Sequence, residues 1–360
     1  MSCYKLLRPL LFLFPEECSH DLSILYFKYL ALSKRREFSN ILRNDVLDMH
    51  FTNPIGLAAG YDKNAQIFSK LYSYNFGFIE CGTVTPKAQS GNSKPRLFRL
   101  KEDEAIINRF GFNNVGMEEF AQNIKGGKKH IPAEFPIGIN IGKNKLQEDF
   151  LSDYLTLIEK FYPLANYLTI NISSPNTPNL RDIQSRDNLE LLVSNVKRLS
   201  KKLQVKHSKK IPILYKIAPD QTDESLKDIC LVSEKYKIDG LIISNTTITR
   251  PDLLRSSNKI QSGGLSGKPL KILANKILAD VYKETQGSIP LIGVGGIESA
   301  DDAYYRILNG ASLVQIYSSL VYQGFNLAKK INLELAYTLK VNGFKNISEA
   351  IGSGINLNNR

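Results

Sequence analysis

A lysine in the middle of an apolar run is the feature of this 360-residue chain that most demands a chemical reason. Lys216 lies in Ile213-Leu214-Tyr215-Lys216-Ile217, and burying that run would force its ammonium to find a partner. Three kinds of partner suit it. One is a structural ion pair, one is a carbonyl substrate held as a Schiff base, and one is the N1–C2=O edge of a flavin, where a cation stabilises the reduced, anionic ring. Ser174 stands in Asn171-Ile172-Ser173-Ser174-Pro175-Asn176-Thr177-Pro178, a turn stiffened by two prolines and supplied with amides. Taken alone, a Ser-Pro turn is most simply structural. No Gly-x-Ser-x-Gly elbow surrounds it and no histidine partner is apparent, so a hydrolase triad fits poorly. In Gly293-Val294-Gly295-Gly296 the glycines would let backbone N–H groups approach a phosphate closely, although ordinary turns need glycine too.

These residues must be positioned by regular elements. From about residue 50 the chain alternates short β-like runs with helical patterns. The runs are 55–59, 77–81, 136–141, 167–172, 212–217, 240–244, 290–294 and 312–317, each an apolar stretch bounded by Gly, Pro, Asn or Ser. Buried parallel strands read this way. Helical patterns occupy 148–161, 187–203, 223–236, 300–308 and a stretch after Gln323. Eight strand–helix repeats predict a (β/α)₈ TIM barrel, with residues 84–112 inserted after the second strand. Such barrels do their chemistry at the C-terminal ends of the strands. All eight runs end there in polar or glycine-rich groups, including Lys63, Thr83, Asn140, Asn171, Lys216, Ser244 to Thr247, Gly296 and Tyr317-Ser318. Barrels often bind phosphate after strands seven and eight, which raises the weight of Gly295-Gly296 and Tyr317-Ser318.

Composition narrows the class. A net charge of +12 is most simply a lysine-rich solvated surface, with attraction to anionic lipid or acidic substrates as the next reading. The lysines are scattered and match no nucleic-acid module, so no nucleic-acid partner is expected. Cys3, Cys18, Cys81 and Cys230 lie far apart, and the histidines (His20, His50, His130, His207) have no metal-ligand spacing, so neither a disulfide framework nor a metal is expected. The apolar run 6–14, broken by Pro9, is shorter than the roughly 20 residues that a membrane span needs. Ser19 could cap a following helix whose greasy face carries Leu22, Leu25, Tyr26, Tyr29 and Leu30, before the basic cluster Lys34-Arg35-Arg36. This pair of segments could lie in a membrane interface or pack as a helical cap on the barrel. The expected divisions are an N-terminal helical segment 1–45, a barrel 46–345 and a tail 346–360.

Several stretches resemble the dihydroorotate dehydrogenase family along nearly the whole chain. They are AAGYDKN at 58–64, CGTVTP at 81–86, KPRLFRL at 94–100, NRFGFNN at 108–114, NISSPNTP at 171–178, SNTT at 244–247, GGLSG at 263–267 and GVGGI at 293–297. The resemblance implies an FMN enzyme that oxidises dihydroorotate to orotate. Ser174 would be the catalytic base that takes the C5 proton while hydride leaves C6 for the flavin N5. Serine where the soluble class carries cysteine implies the quinone-reducing class, whose N-terminal helices meet the membrane and shape a path for ubiquinone or menaquinone. Substrate positions would be Lys63, Asn108, Arg109, Phe110, Gly111, Phe112, Asn171, Asn176, Asn245 and Thr246. FMN positions would be Ala59, Gly60, Thr83, Asn140, Asn171, Lys216, Ser244, Gly267, Gly296, Tyr317 and Ser318.

A monomer is expected, peripheral to the cytoplasmic face of an inner membrane if the owner is a bacterium. Three positions depart from the usual pattern: Tyr61, Ser244 and Ser319. The alternatives are another FMN- or phosphate-binding barrel, such as a lyase using Lys216, the soluble class, or an inactive membrane scaffold.

Overall fold

Eight apolar runs with few polar side chains can be buried on both faces only as a parallel sheet covered by helices, and a sheet that closes removes its own edges. The computed structural model, which describes residues 3–31, 36, 37 and 39–355, has this arrangement. The barrel strands are β1 (Ile55–Leu57), β2 (Phe78–Val84), β3 (Ile137–Ile141), β4 (Tyr167–Asn171), β5 (Ile213–Ile217), β6 (Gly240–Ile243), β7 (Leu291–Val294) and β8 (Ala311–Ile316). They pair in parallel in chain order, and β8 returns to β1 to close the ring. Every residue in them is buried. All eight expected strands are present, with ends shifted by up to three residues.

Helix starts follow local chemistry. Asp149 accepts the N–H groups of Leu151 (3.0 Å) and Ser152 (3.3 Å) at the head of the helix Phe150–Phe161. Thr222 and Ser299 cap Asp223–Lys235 and Ala300–Leu308 in the same way. The helix Arg186–His207 runs past its expected end, while Met117–Lys128 and Lys271–Glu284 had no matching expectation. In the former, Gly126 and Gly127 and a high polar content blur the periodicity.

The insertion after β2 forms a hairpin, Leu97–Leu100 with Ala105–Asn108. A third strand, Gly264–Gly267, comes from the long connection after β6 and pairs antiparallel with Ala105–Asn108. Glycine is required there: a Cβ on Gly264 would lie 1.9 Å from Thr246 Oγ1. At the other end, residues 347–354 are fastened to the helix Ala300–Leu308 through Gly352 N–H to Ile307 O (3.0 Å) and Gly354 N–H to Leu308 O (2.9 Å).

Before the barrel, α1 (Cys3–Leu11) runs through Pro9, and α2 (Glu16–Leu25) continues into a wider turn at Tyr26–Leu30. Ser19 does not cap α2, contrary to the sequence reading. The chain enters at Pro15, whose ring fits the start of a helix, and Glu16 and Glu17 complement the helix dipole there. Ser19 sits a turn further in and donates to the Leu11 carbonyl (2.8 Å), tying α2 to α1. Lys34 and Arg35 of the expected basic cluster lie outside the described residues. Arg36 packs inward, donating to Phe76 O (2.7 Å) with its guanidinium 4.3 Å from the Tyr72 ring centre. Among the described residues, no helix is long and apolar enough to cross a membrane.

The helix pair is held onto the insertion hairpin by two arginines. Arg96 binds both carboxyl oxygens of Glu17, the shortest contact being 2.7 Å from Nη2. Burial pushes the Glu17 carboxyl up, but Arg96 and Lys94 together hold it below its ordinary range. Arg99 donates to Phe14 O and lies 4.5 Å from the Phe12 ring centre. With the Arg96 and Glu17 side chains only 8% and 15% exposed, removing one partner strands the other. Arg96→Ala is therefore expected to weaken docking by about 3 kcal/mol. In a timed trypsin digest, cleavage after Lys5 and Lys28 should accelerate several-fold; an unchanged rate would show that apolar packing alone holds the pair.

Candidate active site

The C-terminal ends of the barrel strands surround a cavity enclosing about 1310 Å³ of space, its open mouth included. Its floor is organised around Glu80 on β2, which has no solvent exposure. The two carboxyl oxygens accept from Asn140 Nδ2 (2.8 Å), Gln315 Nε2 (3.0 Å), Thr169 Oγ1 (3.1 Å) and the Tyr167 hydroxyl (3.2 Å). Beside this network Lys216 enters from β5, 5% exposed. Among the described residues no hydrogen bond or ion pair holds its ammonium. Burial lowers its pKa and Glu80 offsets part of that effect.

Above the floor, amides form a chain. Asn171 donates to Thr83 Oγ1 and to Asn140 Oδ1, both at 3.2 Å. Asn245 donates to Asn171 Oδ1 (3.3 Å) and Ser173 Oγ (2.9 Å). Each amide is thereby fixed in rotation, which is what a heterocycle with alternating N–H and C=O groups requires of its binding site. Ser174 follows β4, is 7% exposed and lines the cavity. Its Oγ accepts the Asn176 N–H (3.3 Å), and Asn176 in turn donates to the Asn108 carbonyl (3.2 Å). Arg181 steadies this loop from behind, donating to Ser173 O (3.1 Å), Thr246 O (3.0 Å) and Asp220 (2.8 Å).

Lys63 comes from the turn after β1. That turn is wound about buried Asp62, which accepts the N–H groups of Gln66, Ile67 and Phe68 at 2.8–2.9 Å. The Lys63 ammonium lies 4.0 Å from the Phe110 ring centre. Burial pushes its pKa down to about 8 against the opposing pull of Glu17 and Asp21. Across the cavity, Gly295 and Gly296 adopt left-handed φ of 108° and 73°. A Cβ on Gly296 would lie 2.6 Å from Lys271 Cα. Ser318 Oγ meets Ser266 Oγ (2.8 Å), and the Tyr317 hydroxyl donates to Gly60 O (3.2 Å).

Of the residues named from sequence, Ser174, Lys63, Asn108, Phe110, Gly111, Phe112, Asn171, Asn176, Asn245 and Thr246 line the cavity, as do Ala59, Gly60, Thr83, Lys216, Ser244, Gly267, Gly296, Tyr317 and Ser318. Two do not. Arg109 points outward to Gln261 Oε1 (3.0 Å) and Ser262 O (3.2 Å), with its guanidinium 4.5 Å from the Phe98 ring centre. Asn140 is fully buried one layer below the lining. The sequence reading missed Glu80, although an acid inside the apolar run Phe78-Ile79-Glu80-Cys81 is as anomalous as Lys216. It also missed Gln315, and the rim residues Ser266, Lys268 and Glu298.

The unusual Tyr61 has a clear role in packing. Its hydroxyl shares a 2.6 Å hydrogen bond with Ser23 of α2, and its ring meets His20 and Phe325 edge-on. Burial, with the Lys63 charge adding to it, keeps His20 well below its ordinary pKa. Ser244 donates to Asn245 O (3.0 Å), and Ser319 Oγ is buried without a partner.

Fold and cavity together define a (β/α)₈ barrel with a site at its C-terminal face, walled by fixed amides and carrying Lys63 and Lys216, with Lys268 at its rim. A family model described as dihydroorotate dehydrogenase matches residues 41–339, and the chain belongs to that family. Relatives named dihydroorotate dehydrogenase (quinone) come from Azorhizobium caulinodans, 44% identical over 99% of this chain and 100% of the relative, and from Rhodospirillum rubrum, 45% identical over 97% and 94%. The crystal structure of DHODH from Eimeria tenella in complex with ferulenol superposes with a TM-score of 0.90 at 39% identity, covering 94% of this chain and 95% of the other.

A carboxylate held by Lys63 would give the site a pH limit. A raised pKa in a carboxylate complex and a value of about 8 without one mean that affinity falls as pH rises above 8, by up to about tenfold per unit. Calorimetric titration with a small cyclic carboxylate between pH 6.5 and 9.5 should show this. Lys63→Met should bind more weakly and without that slope; a wild-type affinity flat to pH 9.5 would remove Lys63 from carboxylate recognition.

Proposed function

We propose that this protein oxidises dihydroorotate to orotate in pyrimidine synthesis, using FMN and passing the electrons on to a membrane quinone. The observation that carries the reading is the convergence of Ser174, the fixed amides and the partnerless Lys216 ammonium on one cavity in a member of this family. The residues fit FMN. Lys216 needs an electron-rich partner, and Gly295 and Gly296 beyond β7 line the cavity, where their backbone N–H groups can meet a phosphate. FMN supplies a two-electron hydride acceptor when bound.

The chain's own groups do the rest. Lys216 opposes negative charge at the cavity floor, with Ala59, Gly60, Thr83 and Ser244 around the ring and Gly267, Gly296, Tyr317 and Ser318 toward the phosphate. Asn108, Asn171, Asn176 and Asn245, with Thr246, hold the urea edge of the substrate, and Lys63 balances its carboxylate. Phe110, Gly111 and Phe112 close that side against water. Ser174 Oγ takes the proton from C5. Serine is a weak base at its free pKa, so the work falls on placement and on exclusion of water. Arg109 and Asn140 act at one remove: Arg109 holds the loop at Gln261 and Ser262, and Asn140 orients Thr83 and Asn171.

Serine rather than cysteine at 174 supports the quinone-reducing class over the soluble one, and so does the helix pair. Leu6, Leu7, Leu10, Leu13, Leu22 and Leu25 on α1, α2 and the link between them are each at least 40% exposed. Clustered exposed leucines on short helices suit the membrane interface. We infer a monomer bound peripherally to the cytoplasmic face of a bacterial inner membrane, taking ubiquinone or menaquinone between the helix pair and the barrel.

Anaerobic mixing with dihydroorotate should bleach the flavin band, and a ubiquinone analogue should restore it. A yellow protein that does not bleach would discard the substrate. Ser174→Ala should keep FMN but slow bleaching by about 10²-fold or more; an unchanged rate would remove Ser174 from its role. The pair Leu10→Glu and Leu13→Glu should lower vesicle binding and quinone turnover several-fold while leaving bleaching intact. Equal loss of both half-reactions would make the helices a purely structural cap.

A further inference from the structure

Arg306 is a buried cation without an ion-pair partner. It lies on the helix Ala300–Leu308 and is 1% exposed. Its stem packs so tightly on β7 that a Cβ on Gly293 would sit 2.5 Å from Arg306 Cγ. Among the described residues no carboxylate lies within ion-pairing distance of the guanidinium. Asp302 acts on it only from farther off, because Lys271 holds that carboxyl group at 2.8 Å. The lysines at the rim are matched: Lys268 pairs with Glu104 (3.0 Å) and Lys271 with Glu298 (3.4 Å).

What the guanidinium does hold are two carbonyls, Val294 O at 3.2 Å and Gly295 O at 2.8 Å. Both following peptide bonds are trans. In a trans peptide unit the C=O and N–H point in opposite directions. Val294 O is shared with the Ser244 N–H (3.2 Å), while Gly295 O is held by Arg306, so the two peptide units sit with the N–H groups of Gly295 and Gly296 turned away from the guanidinium. Both glycines line the cavity, and neither N–H has an acceptor among the described residues. Two successive N–H groups that face a cavity and lack protein acceptors offer an anion a pair of donors.

We propose that Arg306 is a positioning residue for a phosphate monoester: it orients the two glycine N–H groups toward the phosphate and places an unmatched positive charge behind them. This inference rests on the FMN reading above and assigns to one side chain the recognition of the phosphate rather than of the ring.

The test is a titration of deflavinated full-length protein with FMN and with riboflavin, which lacks the phosphate, read by flavin fluorescence. Arg306→Met should weaken FMN about tenfold or more, the scale of losing oriented donors to a charged group, and leave riboflavin within twofold. Arg306→Lys keeps the charge and the stem but cannot hold both carbonyls, so FMN affinity should fall to an intermediate value. Unchanged FMN affinity in either variant, or equal losses for FMN and riboflavin, would overturn the proposal. Should Arg306→Met fail to fold, the Arg306→Lys titration decides alone. Wild-type protein that binds neither flavin would refute the FMN reading itself, an outcome distinct from any of these.

Discussion

A carboxyl group at the barrel axis, cut off from water, sets conditions that much of the molecule must meet. Glu80 is held by donors from three strands, β3, β4 and β8, and each donor has to be buried to reach it. Leaving such a group unpaired would cost several kcal/mol, so these side chains form an all-or-nothing set. The set also fixes the site. Asn140 cannot satisfy Glu80 without presenting its oxygen to Thr83 and Asn171, and Asn171 carries the same order up to Ser173 and Asn245. Lys216 enters beside it, with no hydrogen bond or ion pair among the described residues.

The N-terminal helices follow a different logic. Phe27, in the turn after α2, is buried against Tyr74 and Phe325, and the remaining contacts are directional: a forked Arg96–Glu17 pair, Arg99 over Phe12 and at the Phe14 carbonyl, Tyr4 and Arg8 on the carbonyls of Val321 and Tyr322, and Ser23 on Tyr61. Directional bonds fix the angle of the pair without hiding its leucines.

Much of this was legible in the sequence, for physical reasons. Parallel strands covered on both faces are unbroken apolar runs, so all eight barrel strands could be read and only their ends drifted. Lys216 was conspicuous because an ammonium contradicts such a run. Glu80 contradicts its own run equally, yet its role appears only when β3, β4 and β8 supply donors from far along the chain. Gly264–Gly267 could not be recognised as a strand, because its glycines answer to steric closeness and not to strand propensity. Arg109 sits between two cavity-lining neighbours, and alternation along an extended segment sends it to the opposite side. Ser19 looked like a cap by residue type, but Pro15 and two glutamates had already started the helix.

The small sheet over the cavity has a consequence for biogenesis. Its strands, Leu97–Leu100, Ala105–Asn108 and Gly264–Gly267, are supplied by two insertions separated by four barrel strands. The glycine turn and the residues after β8 come later still. A nascent chain that has made only its first half can collapse, but it owns no complete pocket. Ligand capture must then follow synthesis, and a ligand that binds only the finished site draws the last closing contacts into place by mass action. In cells short of that ligand, newly made barrels would accumulate with their mouths unsealed, and quality-control proteases would meet them first.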